Sequence, residues 1–145
     1  MKQCVRCLEQ KSGDDFYEQK RKIKANYVDT ICKVCRQQES KENRSQTKKW
    51  LENLRKPCIV CHESRSHLID FHHLDPSKKD IPISKYSSSG GAKFETKKIK
   101  LLEEIEKCVT LCSNCHRDFH FYEKEKQINF EEYLKFTSKQ LESNP

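Results

Sequence analysis

The sequence predicts a small α+β protein stabilised by bound metal. Only 34% of its 145 residues are hydrophobic, 35% are charged, and the mean hydropathy is −1.00. Such a chain cannot bury a large apolar core, and small domains in that position need disulfides or metals as staples. Eight of the nine cysteines form four Cys-x-x-Cys pairs, C-V-R-C, C-K-V-C, C-I-V-C and C-S-N-C. At that spacing two thiolates face one tetrahedral ion. Strand-prone and helix-prone segments both occur along the chain.

Residues 1–36 read as a Cys4 zinc module closed by Cys4, Cys7, Cys32 and Cys35, whose 24-residue interior holds a hairpin or a turn of helix. Residues 37–56 form a basic linker helix: the run 36–56 lacks Gly and Pro and is rich in helix formers, and Pro57 ends it. Lys41, Arg44, Lys48 and Arg55 share a face of that helix. They form either a charged connector or a basic face along a phosphate backbone. Trp50, Leu51 and Leu54 give a short apolar stripe.

Residues 57–122 form a second unit. The segment 67–73 is strand-prone and ends in the turn Leu74-Asp75-Pro76. Residues 87–91 (SSSGG) predict a flexible loop. Residues 95–107 predict a helix with Ile99, Leu102 and Ile105 at i, i+3 and i+6. Residues 108–111 predict a strand, with Cys108 as a buried thiol, and Ser113 caps a helix running through Tyr122. The polar tail 123–145 holds one more short helix around Phe130, Tyr133, Leu134 and Phe136, with no functional role. Nothing beyond the paired knuckles repeats between the two halves.

The N-terminus carries no signal peptide and no apolar run reaches membrane-helix length. These features predict a cytoplasmic protein with no membrane partner, where metal thiolates persist and disulfides do not. The net charge of +7, from 29 Lys+Arg against 22 Asp+Glu, favours a polyanionic partner over a small-molecule substrate.

Nearness in sequence pairs Cys58 and Cys61 with Cys112 and Cys115, and the first four cysteines with one another; pairing across the halves is the alternative. Fifty residues separate Cys61 from Cys112, so something is built inside the loop that the metal closes. Inside it lie His72 and His73, and directly after it come His116 and His120. His116 and His120 share one helical face, which suits two imidazoles on one divalent ion. Adjacent His72 and His73 point to opposite faces of a strand, so one can bind metal while the other does something else. All four histidines on a purely structural metal is the competing reading.

The segment C-I-V-C…D-F-H-H-L-D-P…L-C-S-N-C-H-R-D-F-H, roughly residues 57–121, resembles the HNH (ββα-metal, His-Me finger) endonucleases, and its HH…HxxxH arrangement is similar to the colicin-type members. The resemblance implies a β-hairpin followed by a helix, with a metal between them. It implies His73 as general base, His72, His116 and His120 as ligands of the catalytic ion, and Cys58, Cys61, Cys112 and Cys115 around structural zinc. The family's middle Asn, which braces the loop carrying the base, is absent: Lys107 stands near its place. The first 35 residues resemble the start of phage recombination endonucleases, through C-V-R-C, Phe16-Tyr17 and C-K-V-C-R. If the chain is phage-encoded, the expected compartment is the host cytoplasm.

Phosphodiester hydrolysis needs an activated nucleophile and a stabilised leaving oxygen, which one imidazole base and one divalent ion supply. Expected cofactors are Zn²⁺ at two closed Cys4 sites and Mg²⁺, Mn²⁺, Ni²⁺ or Zn²⁺ at the histidines. The expected partner is double-stranded DNA, with Arg117 as a further phosphate contact. The alternatives are a non-catalytic zinc-dependent nucleic-acid-binding protein and a protein-interaction module without salt-dependent DNA affinity.

Overall fold

The computed structural model describes residues 1–19, 27–90 and 92–142. In the first unit, β1 (Lys2–Gln3) and β2 (Gln10–Lys11) pair antiparallel around the first knuckle. Strands β3 (Phe16–Gln19) and β4 (Tyr27–Cys32) form a second antiparallel pair, and α1 (Lys33–Leu54) follows at once. The helix starts earlier than residue 37 because the second knuckle is its own first turn, with Cys32 at the N-cap and Cys35 inside. It stops before Pro57, with Arg55 as an extended C-cap. Arg55 therefore lies outside the helical face it was expected to share, and its guanidinium donates to the Ser66 carbonyl at 2.9 Å.

The second unit is built around β5 (Ile69–His73) and β6 (Cys108–Cys112), antiparallel in unbroken register from Ile69↔Cys112 to His73↔Cys108. Helix α4 (Ser113–Lys126) follows β6 directly. Its N-cap is Cys112, whose sulfur accepts the Cys115 N–H at 3.4 Å. Ser113, expected as the cap, instead donates to the Leu68 carbonyl at 3.3 Å.

Two helices bridge β5 and β6: α2 (Ile83–Ser88) and α3 (Phe94–Ile105). The expected loop at 87–91 is thus partly helix, since Ser87 and Ser88 complete α2; Gly91 lies outside the described residues. The buried Lys97 ammonium of α3 donates to the Ser87 and Ser89 carbonyls, satisfying groups that a helix C-terminus leaves open. The apolar residues at i, i+3 and i+6 do not mark the buried side of α3. Ile99 and Leu102 are exposed, and Lys97, Leu101 and Glu104 are inside. Both buried charges have hydrogen-bond partners, the condition under which burial is tolerated.

The two units repeat one another beyond their knuckles, contrary to the sequence reading. The Cys4 N–H donates to the Glu9 carbonyl at 3.0 Å, as Cys58 does to Glu63 at 2.9 Å. Leu8 donates to Cys4 at 2.9 Å, as His62 does to Cys58 at 2.9 Å, and Val5 to Thr30 at 3.1 Å, as Ile59 does to Thr110 at 3.1 Å. Leu8 and His62 follow their knuckles with φ of 63° and 60°, the left-handed conformation that closes each turn. A 3-10 turn precedes β3 and β5 alike, at Gly13–Asp15 and Ser66–Leu68. The last strand of each unit ends in a cysteine that caps the following helix. Position for position, Arg36 of α1 stands where His116 stands in α4, and Ser40 where His120 stands.

Among the described residues three small cores result. One holds Phe16 among Cys4 and Cys32; another joins Leu51, Ile83 and Leu101 of α1, α2 and α3. The third contains Ile69, Leu111, Phe119, Phe130 and Tyr133. Phe130 and Tyr133 belong to α5 (Phe130–Glu142), so the tail is part of the second unit's core, and the boundary expected after Tyr122 falls inside α4. The Tyr133 hydroxyl donates to Asp118 at 2.9 Å, tying α5 to α4. No helix among the described residues is long and apolar enough to cross a membrane. Truncating Tyr133 to Ala is expected to destabilise the protein by about 3–5 kcal/mol, read from the urea unfolding midpoint. A chain ending at Tyr122 is expected to lose its cooperative transition, and an unchanged transition would show that α5 is dispensable.

Candidate metal centre

Among the described residues, three groups of side chains converge with their ligand atoms within 4.8 Å of one another: Cys4, Cys7, Cys32 and Cys35; Cys58, Cys61, Cys112 and Cys115; and His72, His116 and His120. The geometry thus pairs the knuckles within each half. The Cys61 and Cys112 sulfurs lie 3.6 Å apart, close to the ~3.8 Å edge of a tetrahedron with ~2.3 Å Zn–S bonds. Both Cys4 groups are compatible with a structural zinc ion.

The first cysteine of each unit is prepared as a thiolate. The Cys4 thiol is lowered to about 6 by N–H donors from Cys32 and Cys7. Burial opposes ionisation of Cys58, but the N–H groups of Cys61, Cys112 and Val60 outweigh it and bring the thiol to about 7. Cys35 moves the other way, to about 12, because its neighbours' sulfurs and burial both disfavour a further charge. A cation arriving between them reverses that balance and displaces the remaining protons. Cys108 belongs to neither group; half-buried rather than fully buried as expected, its thiol is pushed up to about 11 by burial.

The histidine group is different in kind. His72 on β5 faces α4, and its ring centroid lies 5.0 Å from that of His116 and 5.1 Å from that of His120. Phe119 packs edge-on against the His72 ring at 5.0 Å and Phe130 of α5 stacks on it at 5.7 Å. Burial first, then His116 and His120, push His72 down to about 4, so its imidazole is neutral at any ordinary pH. Burial lowers His116 as well, against a pull from Asp70. The centre is closed at His72 and open at His120, whose side chain is 46% exposed.

Carboxylates hold the outer nitrogens. His120 Nδ1 lies 2.8 Å from Glu123 and His116 Nδ1 lies 3.7 Å from Asp70. Each contact leaves Nε2 for an ion, an arrangement that fixes tautomer and ring orientation in metal-binding histidines. Three imidazoles with an open side suit a transition ion with room for a further ligand. Glu123 and Asp70 escaped the sequence reading, although Glu123 sits three residues after His120 on the same helical face.

His73 is not part of this group. It turns to the opposite side of β5, where Nε2 lies 2.7 Å from Glu104 of α3. That separation rules against all four histidines sharing one metal. Burial opposes ionisation of Glu104, but hydrogen bonds from Lys107 and His73 hold it below the usual carboxylate range. A carboxylate only accepts, so the shared proton resides on Nε2 and neutral His73 keeps its lone pair on Nδ1. Lys107 donates to Glu104 at 3.0 Å, Asp80 at 2.5 Å and the Lys78 carbonyl at 3.1 Å. It therefore braces the segment after His73, which the Leu74 N–H also ties to the Lys107 carbonyl at 3.2 Å.

Of the expected phosphate contacts, Arg117 is exposed on α4 beside His116, and Lys41, Arg44 and Lys48 are exposed on α1. No family model, curated protein or solved structure matches the chain.

In a His72→Phe background, which leaves only the cysteine groups, two zinc ions per chain are expected by mass spectrometry of the purified protein, falling to one on adding Cys7→Ser or Cys61→Ser. Retention of two ions in both variants would exclude these ligand sets. His72 also sets an acid limit while the histidine group holds no ion. Above pH ~6.5 the imidazole is neutral folded and unfolded; as pH falls towards 4 only the unfolded chain takes up the proton. Stability is expected to drop by up to about 3 kcal/mol over that window. His72→Phe removes the drop, measured as the difference between the two proteins' unfolding curves.

Proposed function

We propose that this chain is an HNH-type endonuclease that hydrolyses phosphodiester bonds in double-stranded DNA. The observation that carries the reading is the division of labour between adjacent histidines. His72 belongs to an open three-histidine group, while His73 ligates nothing and is held by a buried carboxylate. A structural metal at the three histidines does not itself require the second arrangement, which holds His73 through Nε2 and keeps Nδ1 out of the Glu104 contact. The antiparallel pair β5–β6, joined through α2 and α3 and not by a tight hairpin, and α4 after it share the strand–strand–helix order that the family resemblance implies. Lys107 supplies the bracing otherwise expected of the missing Asn.

In this reading His72, His116 and His120 would hold a divalent ion, which would supply Lewis-acid chemistry at the scissile phosphate. His73 accepts the proton of the attacking water at Nδ1. Glu104 fixes the ring and stabilises the imidazolium that results, and Lys107 with Asp80 holds Glu104 in place. Asp70 and Glu123 keep the ligand imidazoles turned inwards. Arg117 contacts a phosphate flanking the cut, and the two four-cysteine groups would hold zinc, which would fix the start of each helix.

Plasmid nicking with Mg²⁺, Mn²⁺, Ni²⁺ or Zn²⁺ tests this. His73→Ala is expected to lower the rate by about 10²–10⁴-fold, the usual worth of a positioned base. Glu104→Gln is expected to lose about a hundredfold in kcat by misplacing it, with little change in DNA affinity. Nicking that survives His73→Ala removes the base assignment. DNA binding without cleavage in any of these ions favours the non-catalytic zinc protein instead.

A further inference from the structure

Helix α1 and the segment joining α2 to α3 enclose a groove outside the metal centre. Its larger part, about 600 Å³, is lined by Tyr17, Arg36, Asn43, Arg44 and Lys93, among others. A smaller part of about 210 Å³ is lined by Arg44, Lys48, Arg55 and Ser87, so Arg44 borders both. Two lining residues of the larger part, Arg36 and Ser40, stand at the positions of α1 that His116 and His120 take in α4. It offers no comparable ligand set, because Arg36 replaces His116 and Ser40 replaces His120.

The charges of the groove do not cancel. Its carboxylates, Asp29 and Glu39, are both spent on Arg36, at 2.7 and 2.8 Å. Arg44, Lys48 and Lys93 are exposed and form no ion pair among the described residues. Lys97 lies buried nearby, its ammonium lowered by burial and by Arg44. Unpaired cations along one groove fit a partner with regularly spaced negative charge. Asn43 accepts the Phe94 N–H at 3.3 Å, and Ser40 donates to the Gly90 carbonyl at 3.2 Å, which holds the two walls together.

We propose that this groove anchors the phosphodiester backbone of DNA through Arg44, Lys48 and Lys93, upstream or downstream of the site of cutting. The proposal rests on the nuclease reading only for the position of the cut. Helix α3 links the two places, with Phe94 at the groove and Glu104 at His73. Ten residues of helix span about 15 Å, which at about 3.4 Å per nucleotide of one strand places the anchored phosphates some four base pairs from the cut.

The test is binding of the zinc-loaded full chain to a fluorescent DNA duplex, by anisotropy across a salt series without added divalent ion. The triple variant Arg44→Ala/Lys48→Ala/Lys93→Ala is compared with Lys49→Ala/Lys100→Ala/Lys135→Ala, which removes equal charge from exposed positions elsewhere. The groove variant is expected to retain two zinc ions, to bind at least tenfold more weakly, and to lower the slope of log K against log salt by about 2.7. The control is expected to change the slope by less than about 1. Equal slopes for the two variants overturn the proposal, as does binding of an RNA duplex but not DNA. If the wild-type chain binds DNA through the groove but does not cut it, the anchor stands and the nuclease reading falls. If the chain cuts DNA and the groove variant binds unchanged, only the anchor falls.

Discussion

Four cysteine sulfurs meeting at one point are the constraint on which each unit depends. They tie a tight turn to the first turn of a helix, and the strand before the helix must end where its last sulfur is needed. In the second unit that strand is β6, and Cys112 is its final residue. Once Cys112 is placed, the register sets Ile69 opposite it and His72 opposite Val109. Cys115 in turn fixes the helix phase that brings His116 and His120 beneath His72. The histidine centre thus inherits its geometry from the sulfur site beside it, with no large apolar core required.

The repeat shows how much of the structure this constraint dictates. Two stretches with little in common besides cysteines adopt the same knuckle, the same left-handed residue after it, and the same strand-to-helix junction. What differs is the chemistry placed on the shared frame. One copy sets an imidazole facing an aspartate across the cleft, His116 with Asp70. The other sets a guanidinium facing one, Arg36 with Asp29. The first pair leaves a ring nitrogen free, and the second leaves no ligand at all.

The features legible in the sequence were those encoded by spacing within one turn or one knuckle. The Cys pairs, the four-residue step from His116 to His120, and the linker helix all follow from local periodicity. What the sequence hid depends on distant partners. Glu104 lies 31 residues from His73, and nothing in its surroundings marks a glutamate for burial. On α3 the apolar spacing of Ile99 and Leu102 pointed to the wrong side, because Lys97 and Glu104 are buried to satisfy groups on other elements. Helix α2 was hidden by a serine-rich sequence whose end carbonyls are capped by Lys97 from another helix. The role of α5 was hidden because Phe130 and Tyr133 acquire meaning only against Phe119 and His72. The repeat was hidden because it resides in backbone hydrogen bonds, not in residue identity.

The aromatic rings around His72 have a consequence for how the centre is filled. Phe119 and Phe130 hold that imidazole in place by packing, Glu123 steers His120 by a hydrogen bond, and Asp70 lies 3.7 Å from His116. None of these contacts needs an ion. The cysteine groups, by contrast, lie at the junctions that define each unit, and their loss undoes the fold around them. An ion held by the histidines would therefore be free to leave and return while the protein stays assembled, and occupancy of that centre would follow the free metal around the protein, independently of folding.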